Sequence, residues 1–279
     1  MQTILLTGAS RGLGRAIAET FLGHGDRVVA TARDPRSVAG LEAAYPGGAH
    51  ALALDVTDAA AAERAVVEAI SALGVPDVLV TNAGYADIAS IEDSTLESMR
   101  SVVETNLWGV VHLVKAVLPH WRAAGHGRLI HISSVSGRLA PVPGLGAYVT
   151  AKFAAEGFVE ALALEMRSFG IKATIVEPGR MATSIGASMV VPEATAPYAR
   201  LIAPLADAYA NGAARGTPPE MAAALIRRVA GMDEPPLRLA LGSGAFDVIR
   251  AADRRRLAEL DRHEALSRSV DHELEVRAS

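Results

Sequence analysis

TILLTGASRGLG, residues 3–14, decides the fold of this chain. Residues 3–7 are an apolar run of the length of a buried strand, and a helical pattern begins at Leu13. Glycines between the two allow the backbone to turn tightly and to approach a ligand closely, while the first turn of a helix presents unpaired amides to a phosphate. A glycine string in this position predicts a dinucleotide-binding turn. The residues expected to line that turn are Gly8, Ser10, Arg11, Gly12, Leu13 and Gly14.

Short apolar runs recur along the chain, with helical patterns between them. The runs lack a polar alternate face, which suits strands buried on both sides. Alternating strands and helices form right-handed βαβ units, so the pattern predicts an α/β fold with one doubly wound, Rossmann-like parallel sheet of about seven strands and helices on both faces. We expect a single domain over residues 1–279. The runs before the last strand are residues 3–7, 27–31, 51–54, 78–80, 129–132 and 173–176, and the helical segments are 13–22, 60–72, 96–118 and 148–169.

Two later segments depart from this alternation. Residues 184–219 are rich in Ala, Pro and Met and carry few charges. A long excursion of this kind in a compact domain is usually a lid or substrate loop with short helices of its own, so we expect an apolar pocket wall there. The alternatives are a poorly ordered insertion and ordinary core packing on the sheet. Residues 236–279 are expected to form a C-terminal extension, with a last strand and then a long helix over 245–262.

The composition excludes several classes of function. A formal charge of −4 and a pI near 6.1 give no basic surface for a polyanion, so we expect no nucleic-acid partner. The chain has no cysteine, and its eight histidines show no paired ligand spacing, so we expect no metal site. No apolar stretch reaches the ~20 residues that span a bilayer, and the N-terminus does not resemble a signal peptide. We therefore expect a cytoplasmic protein without a membrane partner.

The end of the second strand bears on the choice of dinucleotide. An acidic residue there would accept the ribose 2′-hydroxyl of NAD, but this strand ends in Ala32-Arg33, and the first carboxylate is that of Asp34. Arg33, together with Arg11 in the glycine turn, offers guanidinium groups suited to a 2′-phosphate. NADP(H) is therefore favoured over NAD(H). The alternative is that both arginines are solvated surface charges.

A tyrosine and a lysine lie four residues apart in AYVTAK, residues 147–152. The chain has only three lysines, Lys115, Lys152 and Lys172. On a helix, positions four apart share one face, so Tyr148 and Lys152 would point into the same space. The alternative is a chance pair on a solvated helix.

Further strings follow in a fixed order, and together they resemble the short-chain dehydrogenase/reductase family, in its branch with Gly-x-x-x-Gly-x-Gly and Tyr-x-x-x-Lys. The resemblance is firm over residues 3–183 and looser beyond. Thr81 stands where the family most often has a second asparagine, and the long C-terminus resembles a longer bacterial subset. The matching residues beyond the glycine turn are Asp55 with Val56, Asn82-Ala83-Gly84, Asn106, Ser134, Tyr148 with Lys152, Pro178-Gly179 and Thr183.

The resemblance implies a role for each matching residue. The catalytic set would be Asn106, Ser134, Tyr148 and Lys152, and the other matching residues, with Arg33, Tyr148 and Lys152, would contact the cofactor. It also implies a homodimer or homotetramer. Taken singly, Asn106 could be a helix residue satisfied by backbone groups, Asp55 could cap the next helix, and Ser133, Ser134 and Ser136 could all be turn residues.

The reaction implied is hydride transfer to a carbonyl group, in which the alkoxide must be stabilised and protonated. Tyr148 would be the acid, and Lys152 would lower the pKa of its phenol. Ser134 would hydrogen-bond the substrate oxygen, and the resemblance implies that Asn106 positions a relay water. We expect an NADP(H)-dependent reductase acting on a small hydrophobic ketone or aldehyde, or on the matching alcohol. The alternatives are a non-catalytic NADP(H)-binding sensor or scaffold, and a lyase or epimerase using the same site.

Overall fold

The computed structural model describes residues 1–182, 189, 191–210 and 216–277, and within them seven parallel strands form one sheet. The strand order is β3-β2-β1-β4-β5-β6-β7, with every pairing parallel. This is the doubly wound α/β sheet that the sequence predicts. The strands are β1 (Thr3–Leu6), β2 (Arg27–Ala32), β3 (Ala49–Ala53), β4 (Val78–Thr81), β5 (Gly127–Ile132), β6 (Ile171–Pro178) and β7 (Arg238–Leu241).

Helices cover both faces of the sheet. The described part of the chain contains α1 (Gly12–Gly23), α2 (Ala39–Ala44), α3 (Ala59–Leu73), α4 (Leu96–Val103), α5 (Gly109–Ala124), α6 (Gly146–Met166), α7 (Ala196–Ala210), α8 (Pro219–Ala230), α9 (Ser243–Arg262) and α10 (Glu264–Arg277). Short 3₁₀ turns occupy Pro35–Ser37, Val135–Gly137 and Arg167–Phe169. No helix among these residues is both long enough and apolar enough to cross a bilayer.

The core lies in two layers, one on each face of the sheet. Ile4 and Leu6 of β1 pack in one layer with residues of α1 and α8, whereas Leu5 packs in the other with residues of α3, α5 and α6. All four residues of β1 are buried, as expected for a strand covered on both sides. The order in which successive strands are added reverses at β1: β2 and β3 lie on one side of it, and β4 to β7 lie on the other. A crevice for a ligand is therefore expected beyond the carboxyl ends of β1 and β4.

The predicted helix over residues 96–118 is interrupted in the structure. It consists of α4 and α5 joined by a π-helical segment, Glu104–Trp108, which contains Asn106. The short helix α2 was not predicted, because only Leu41 of its six residues is buried and the apolar pattern is therefore weak. Strand bounds differ from the predicted ones by up to two residues at either end.

The two later segments are described only in part. Of the expected lid, residues 184–188, 190 and 211–215 lie outside the described residues, and the remainder contains α7 and ends at Pro219, the first residue of α8. The extension over 236–279 contains the predicted strand as β7 and the predicted long helix as α9, followed by α10.

Candidate active site

The turn between β1 and α1 requires glycine at three points. Gly8 and Gly12 have φ values of 69° and 55°, a region that other residues rarely adopt. A β-carbon on Gly14 would clash with the carbonyl oxygen of Gly8. Arg11 precedes α1 in an extended conformation, and its side chain makes no capping hydrogen bond, so the first amides of the helix lie at the turn without a side-chain partner. A phosphate group therefore fits this turn.

Asn82 ties the end of β4 to the same turn. Its Nδ2 donates to the carbonyl oxygens of Thr7 and Gly8, at 3.0 and 3.1 Å. The Oγ1 of Thr7 accepts in return from the backbone amides of Asn82 and Ala83, at 2.9 and 3.0 Å. A β-carbon on Gly8 would lie only 3.0 Å from Cα of Ala83. Asn82 and Ala83 thus support the glycine turn from the neighbouring strand.

The end of β2 presents arginine. Arg33 and Arg11 are both exposed. The neighbouring Asp34 forms a two-pronged ion pair with Arg36, with Nε–Oδ1 and Nη2–Oδ2 distances of 2.9 and 3.0 Å. The hydrogen bonds from Arg36 lower the pKa of the Asp34 carboxyl group. The carboxylate nearest to the strand end is therefore already paired with a guanidinium group.

Asp55 does not cap the helix that follows it. Its Oδ1 accepts from the amide and the hydroxyl of Thr57, at 3.0 and 2.7 Å, and these bonds lower the pKa of its carboxyl group. The cap of α3 is instead Asp58, which accepts from the amide of Ala61 at 3.0 Å. The next residue, Val56, is buried, and it contacts α5: its carbonyl oxygen is 3.0 Å from Nδ1 of His112.

Asn106 brings a buried amide to the carboxyl end of β4. Its Nδ2 donates to the carbonyl oxygens of Tyr85 and Val102, at 2.8 and 2.9 Å, so the amide nitrogen is satisfied by backbone groups. Its Oδ1 is buried and has no hydrogen-bond partner. A β-carbon on Gly84 would lie 2.5 Å from this oxygen and 3.7 Å from Nζ of Lys152. An unpaired buried acceptor beside an ammonium group indicates a place for a polar ligand or a water.

Lys152 is buried and lies beside Tyr148, which contradicts the idea of a chance pair on a solvated helix. Lys152 is 4% exposed, and its Nζ donates to the carbonyl oxygen of Ile132 at 2.9 Å. The same nitrogen is 5.7 Å from the centroid of the Tyr148 ring. Burial lowers the pKa of the Lys152 ammonium group to about 8, against the opposing effect of Glu156.

The pKa of the Tyr148 phenol is raised in this structure. Desolvation raises it to about 12, and the Ser134 hydroxyl acts in the opposite direction. The lowering of this pKa that was expected from Lys152 is therefore not seen in this structure; the ring lies among the apolar residues of α7 and the segment before α6, which desolvate the phenol. A phenol with this pKa keeps its proton at neutral pH.

The three serines after β5 differ in their surroundings. Ser133 is buried, and its Oγ donates to Oε1 of Glu156 at 2.5 Å. Ser136 is also buried. Ser134 is half-buried, and its Oγ accepts from the amide of Ser136 at 3.1 Å. Ser134 is thus the serine of the three that is partly accessible, and its choice from the resemblance stays a prediction.

The remaining predicted residues lie at or near the same edge of the sheet. Pro178 ends β6, and Gly179 follows it against α9, where a β-carbon would lie 3.3 Å from the amide of Ala245. Thr183 lies outside the described residues.

Thr81, the departure from the family pattern, is buried on β4, and its Oγ1 is 2.9 Å from Nδ1 of His131 on the neighbouring strand.

An apolar cluster surrounds the Tyr148 ring. Its buried members are Ala86, Ile88, Leu145 and Ile202, and the half-buried residues packed against them include Val149, Met189, Tyr198, Leu205 and Tyr209. The start of α7 is tied to the loop before α4, because the Tyr198 hydroxyl donates to Oε2 of Glu92 at 2.7 Å and the Thr195 amide donates to Oδ2 of Asp93 at 3.2 Å.

Not every apolar residue of the segment 184–219, where the pocket wall is expected, joins this cluster. Met189, Tyr198 and Ile202 do so, whereas Val191 and Leu201 are exposed. Ile185 and Val190 lie outside the described residues.

Comparison with known proteins is consistent with this geometry. Residues 2–193 match the profile of the family described as short chain dehydrogenase. The chain belongs to that family. This short-chain dehydrogenase is 41% identical over 250 residues to an oxidoreductase of Botryotinia fuckeliana, with 87% of this chain and 89% of the relative covered. It is 35% identical over 244 residues to a 3-ketodihydrosphingosine reductase of Bacteroides thetaiotaomicron, with 86% and 88% covered.

Solved structures share the fold of the dehydrogenase. A short-chain dehydrogenase from Streptomyces avermitilis superimposes with a TM-score of 0.88 at 36% identity, with 97% of this chain and all of the other covered. An alcohol dehydrogenase of the archaeon Thermococcus sibiricus, complexed with 5-hydroxy-NADP, superimposes with a TM-score of 0.72 at 26% identity, with 86% and 96% covered. The dehydrogenase is therefore an oxidoreductase with a dinucleotide-binding fold.

Proposed function

We propose that this dehydrogenase reduces the carbonyl group of a hydrophobic ketone or aldehyde with NADPH, or oxidises the matching alcohol with NADP⁺. The observation that carries the proposal is the placement of Tyr148. Its phenol lies in an apolar cluster, beside the buried ammonium group of Lys152 and next to the half-buried Ser134. An acid, a cation and a hydroxyl around one apolar space are the groups that carbonyl reduction needs.

The residues that would hold the cofactor lie along the carboxyl edge of the sheet, at or after the ends of β1, β2, β3, β4 and β6 and on α6. The uncapped amides of α1 would bind the pyrophosphate, and Arg33 with Arg11 would bind a 2′-phosphate. Asp55 and Val56 would border the adenine, and Lys152 with Pro178 and Gly179 would border the nicotinamide riboside. The bound dinucleotide supplies the hydride. The NADP analogue in the related alcohol dehydrogenase supports this choice of cofactor.

The side chains supply the proton and the oxygen contacts. Ser134 would donate a hydrogen bond to the carbonyl oxygen and hold it beside Tyr148. Tyr148 would then donate its proton as negative charge develops on that oxygen, and its raised pKa keeps the proton available at neutral pH. Lys152 would stabilise the resulting phenolate with its positive charge. The unpaired Oδ1 of Asn106 would accept a hydrogen bond from a water that returns the proton.

The substrate class follows from the wall around Tyr148. The cluster contributes Ile88, Leu145, Ile202 and Leu205, which favour an apolar substrate over a charged one. Two features support a lid role for α7: its packing on this cluster and the hydrogen bond from Tyr198 to Glu92. The name of the related reductase, which refers to a sphingoid ketone, is in line with a hydrophobic ketone.

The test is NADPH consumption, with NADH in parallel, against a panel of hydrophobic ketones and aldehydes. We expect turnover with NADPH preferred, and a loss of about 10³-fold in Tyr148→Phe, since a positioned acid contributes roughly 10²–10⁴-fold. Tyr45→Phe is the control, because Tyr45 packs in the core layer that contains α1 and α8 and does not belong to the apolar cluster around Tyr148. Binding of NADPH without turnover of any carbonyl compound would instead favour the sensor or the lyase. Near-normal activity of Tyr148→Phe would remove the tyrosine from the mechanism.

A further inference from the structure

A buried carboxylate lies one helical turn beyond Lys152. Glu156 is 1% exposed, and both of its oxygens are paired: Oε1 accepts from Oγ of Ser133 at 2.5 Å, and Oε2 accepts from Nη1 of Arg238. A β-carbon on Gly137 would clash with Oε1. The carboxylate is thus pressed against the turn that follows β5, which is the turn that carries Ser134.

Arg238 connects this carboxylate to the neighbouring strand. Its Nη1 also donates to Oε1 of Glu177 at 2.9 Å, and its Nε donates to Oε1 of Glu160 at 2.9 Å. Glu177 is buried on β6 and directly precedes Pro178. One guanidinium group on β7 therefore joins the helix that carries Tyr148 and Lys152 to the strand that leads into the proposed nicotinamide loop.

Lys152 and Glu156 hold consecutive residues at the end of β5. Lys152 binds the carbonyl oxygen of Ile132, and Glu156 binds the hydroxyl of Ser133. Ser134 is the next residue along the chain. Two side chains one turn apart on α6 therefore fix the backbone from which the proposed substrate-binding serine projects.

The cost of burying these charges argues against a purely stabilising role. A buried ion pair is often no more stabilising than apolar residues of the same volume, because desolvation offsets the attraction. Burial indeed raises the pKa of the Glu156 carboxyl group, with Ser133 and Arg238 opposing. Glu156 is buried beside Lys152 and Ser134 in spite of this desolvation cost, which favours a role of its charge in the reaction.

We propose that Glu156 is a positioning residue for the reaction. It acts through Ser133 on Ser134, and through its charge on Lys152. It also acts through Arg238 on the strand before Pro178. This inference rests on the proposed function. Removal of the charge would lower the pKa of Lys152, because Glu156 opposes the effect of burial. The titratable and charged groups around Glu156 and Lys152 are Tyr148 and Glu160 on α6, His131 on β5, Arg138 after the 3₁₀ turn, Glu177 on β6 and Arg238 on β7.

The first test observes Lys152 directly, without any turnover. The chain has three lysines, so protein labelled with ¹³C at lysine Cε gives few signals, and Lys152 is assigned by its loss in Lys152→Arg. We compare pH titrations of wild type, Glu156→Gln and Glu160→Gln. Glu160 is the matched control, because it binds the same arginine but is half-exposed and makes no contact with Ser133. We expect the Lys152 midpoint to fall by about one pH unit in Glu156→Gln, and to stay unchanged in Glu160→Gln.

The second test uses the pH profile of carbonyl reduction. In Glu156→Gln the alkaline limb of kcat/KM is expected to move to lower pH by the same interval, and kcat is expected to fall about tenfold at neutral pH. Ser133→Ala removes the link to Ser134 and leaves the charge in place, so kcat is expected to fall while the limb stays where it is.

Two results together would overturn the inference. Glu156→Gln would leave the Lys152 titration midpoint and the alkaline limb of kcat/KM where they are in the wild type, and both Glu156→Gln and Ser133→Ala would have the wild-type kcat. If Glu156→Gln does not fold, Ser133→Ala and the NADPH pH profile of Arg238→Lys decide in its place: wild-type kcat and an unmoved limb in these two would also overturn it. A protein that reduces no carbonyl compound fails the proposed function, whereas the lysine titration still tests the coupling between Glu156 and Lys152.

Discussion

The amide oxygen of Asn106 lies so close to Gly84 that a β-carbon on the glycine would come within 2.5 Å of it. The oxygen is buried and makes no hydrogen bond, and Nζ of Lys152 lies on the same side of the glycine. The missing side chain at position 84 therefore leaves room for the asparagine oxygen on the side of the glycine where Nζ of Lys152 lies.

Gly84→Ala is expected to displace the Asn106 side chain and to reduce kcat by at least tenfold, because a shift of an ångström in a reacting arrangement is costly. The control is Gly157→Ala on α6, where a β-carbon meets nothing within 4 Å. That variant is expected to keep full activity and to be more stable by roughly 0.5–1 kcal/mol, since glycine disfavours a helix interior. Equal kcat for Gly84→Ala and wild type would show that the oxygen has no part in turnover.

Arg33→Ala is expected to raise KM for NADPH by about tenfold or more and to leave KM for NADH nearly unchanged, because it removes a charge-assisted contact to a 2′-phosphate. Arg64→Ala, which removes an exposed arginine on α3, serves as the control. Steady-state kinetics with both cofactors measure the effect. An equal rise for the two cofactors would show that Arg33 does not recognise the phosphate.

Lys152→Met is expected to abolish most turnover and yet to raise the free energy of unfolding by about 2 kcal/mol at pH 7, because the buried ammonium group no longer has to be desolvated. The folded pKa of about 8 lies below the ordinary value of 10.5, so the unfolded chain binds more protons between these two pH values. The stability of the wild type therefore rises with pH over this interval, and the difference between the two proteins shrinks. Urea unfolding at pH 7 and at pH 10 measures the free energy of unfolding of the wild type and of Lys152→Met. A difference between the two proteins that grows with pH would contradict a lowered pKa for Lys152.

Tyr198→Phe removes the hydrogen bond from α7 to Glu92 and keeps the ring in the apolar cluster. We expect KM for a hydrophobic ketone to rise a few-fold with kcat nearly unchanged, because the wall of the pocket loses an anchor on the loop before α4. Glu92→Ala, which removes the acceptor of this bond, should have a similar effect. The double variant should resemble either single one, since both substitutions act on the same bond. If the effects of the two substitutions on KM were additive, the two residues would act independently of each other.

The sequence predicted the sheet and its strands, because these depend on local signals, and the site residues that it proposes rest on signals of the same kind. Buried parallel strands are short apolar runs, and the glycine turn, Asn82 and the Tyr148–Lys152 pair occupy recognisable positions along the chain. The choice of Ser134 among the three serines rests on the resemblance and stays a prediction; in the structure Ser133 is bound to Glu156, whereas Ser134 is half-buried.

The rest depends on contacts between distant parts of the chain. Glu156 could have been suspected as an acidic residue one turn after Lys152, but its partner Arg238, and Glu177, which binds the same arginine, lie on strands further along the sequence. The raised pKa of Tyr148 could not be predicted either, because it results from apolar residues of α7, which the tyrosine meets only in the folded chain.

The π-helical segment Glu104–Trp108 has a consequence for how this helix tolerates insertions and deletions. A π-helical turn holds roughly one residue more than an α-helical turn, so the deletion of one residue here would convert the wide turn into an ordinary one, keep α4 and α5 in their relative orientation and change the direction of the side chains within the turn. The two helices would remain intact, with the same composition. Asn106 could then no longer keep its amide bonds to Tyr85 and Val102 while its oxygen faces Gly84. In this stretch the length of the chain, as much as the identity of its residues, specifies the site.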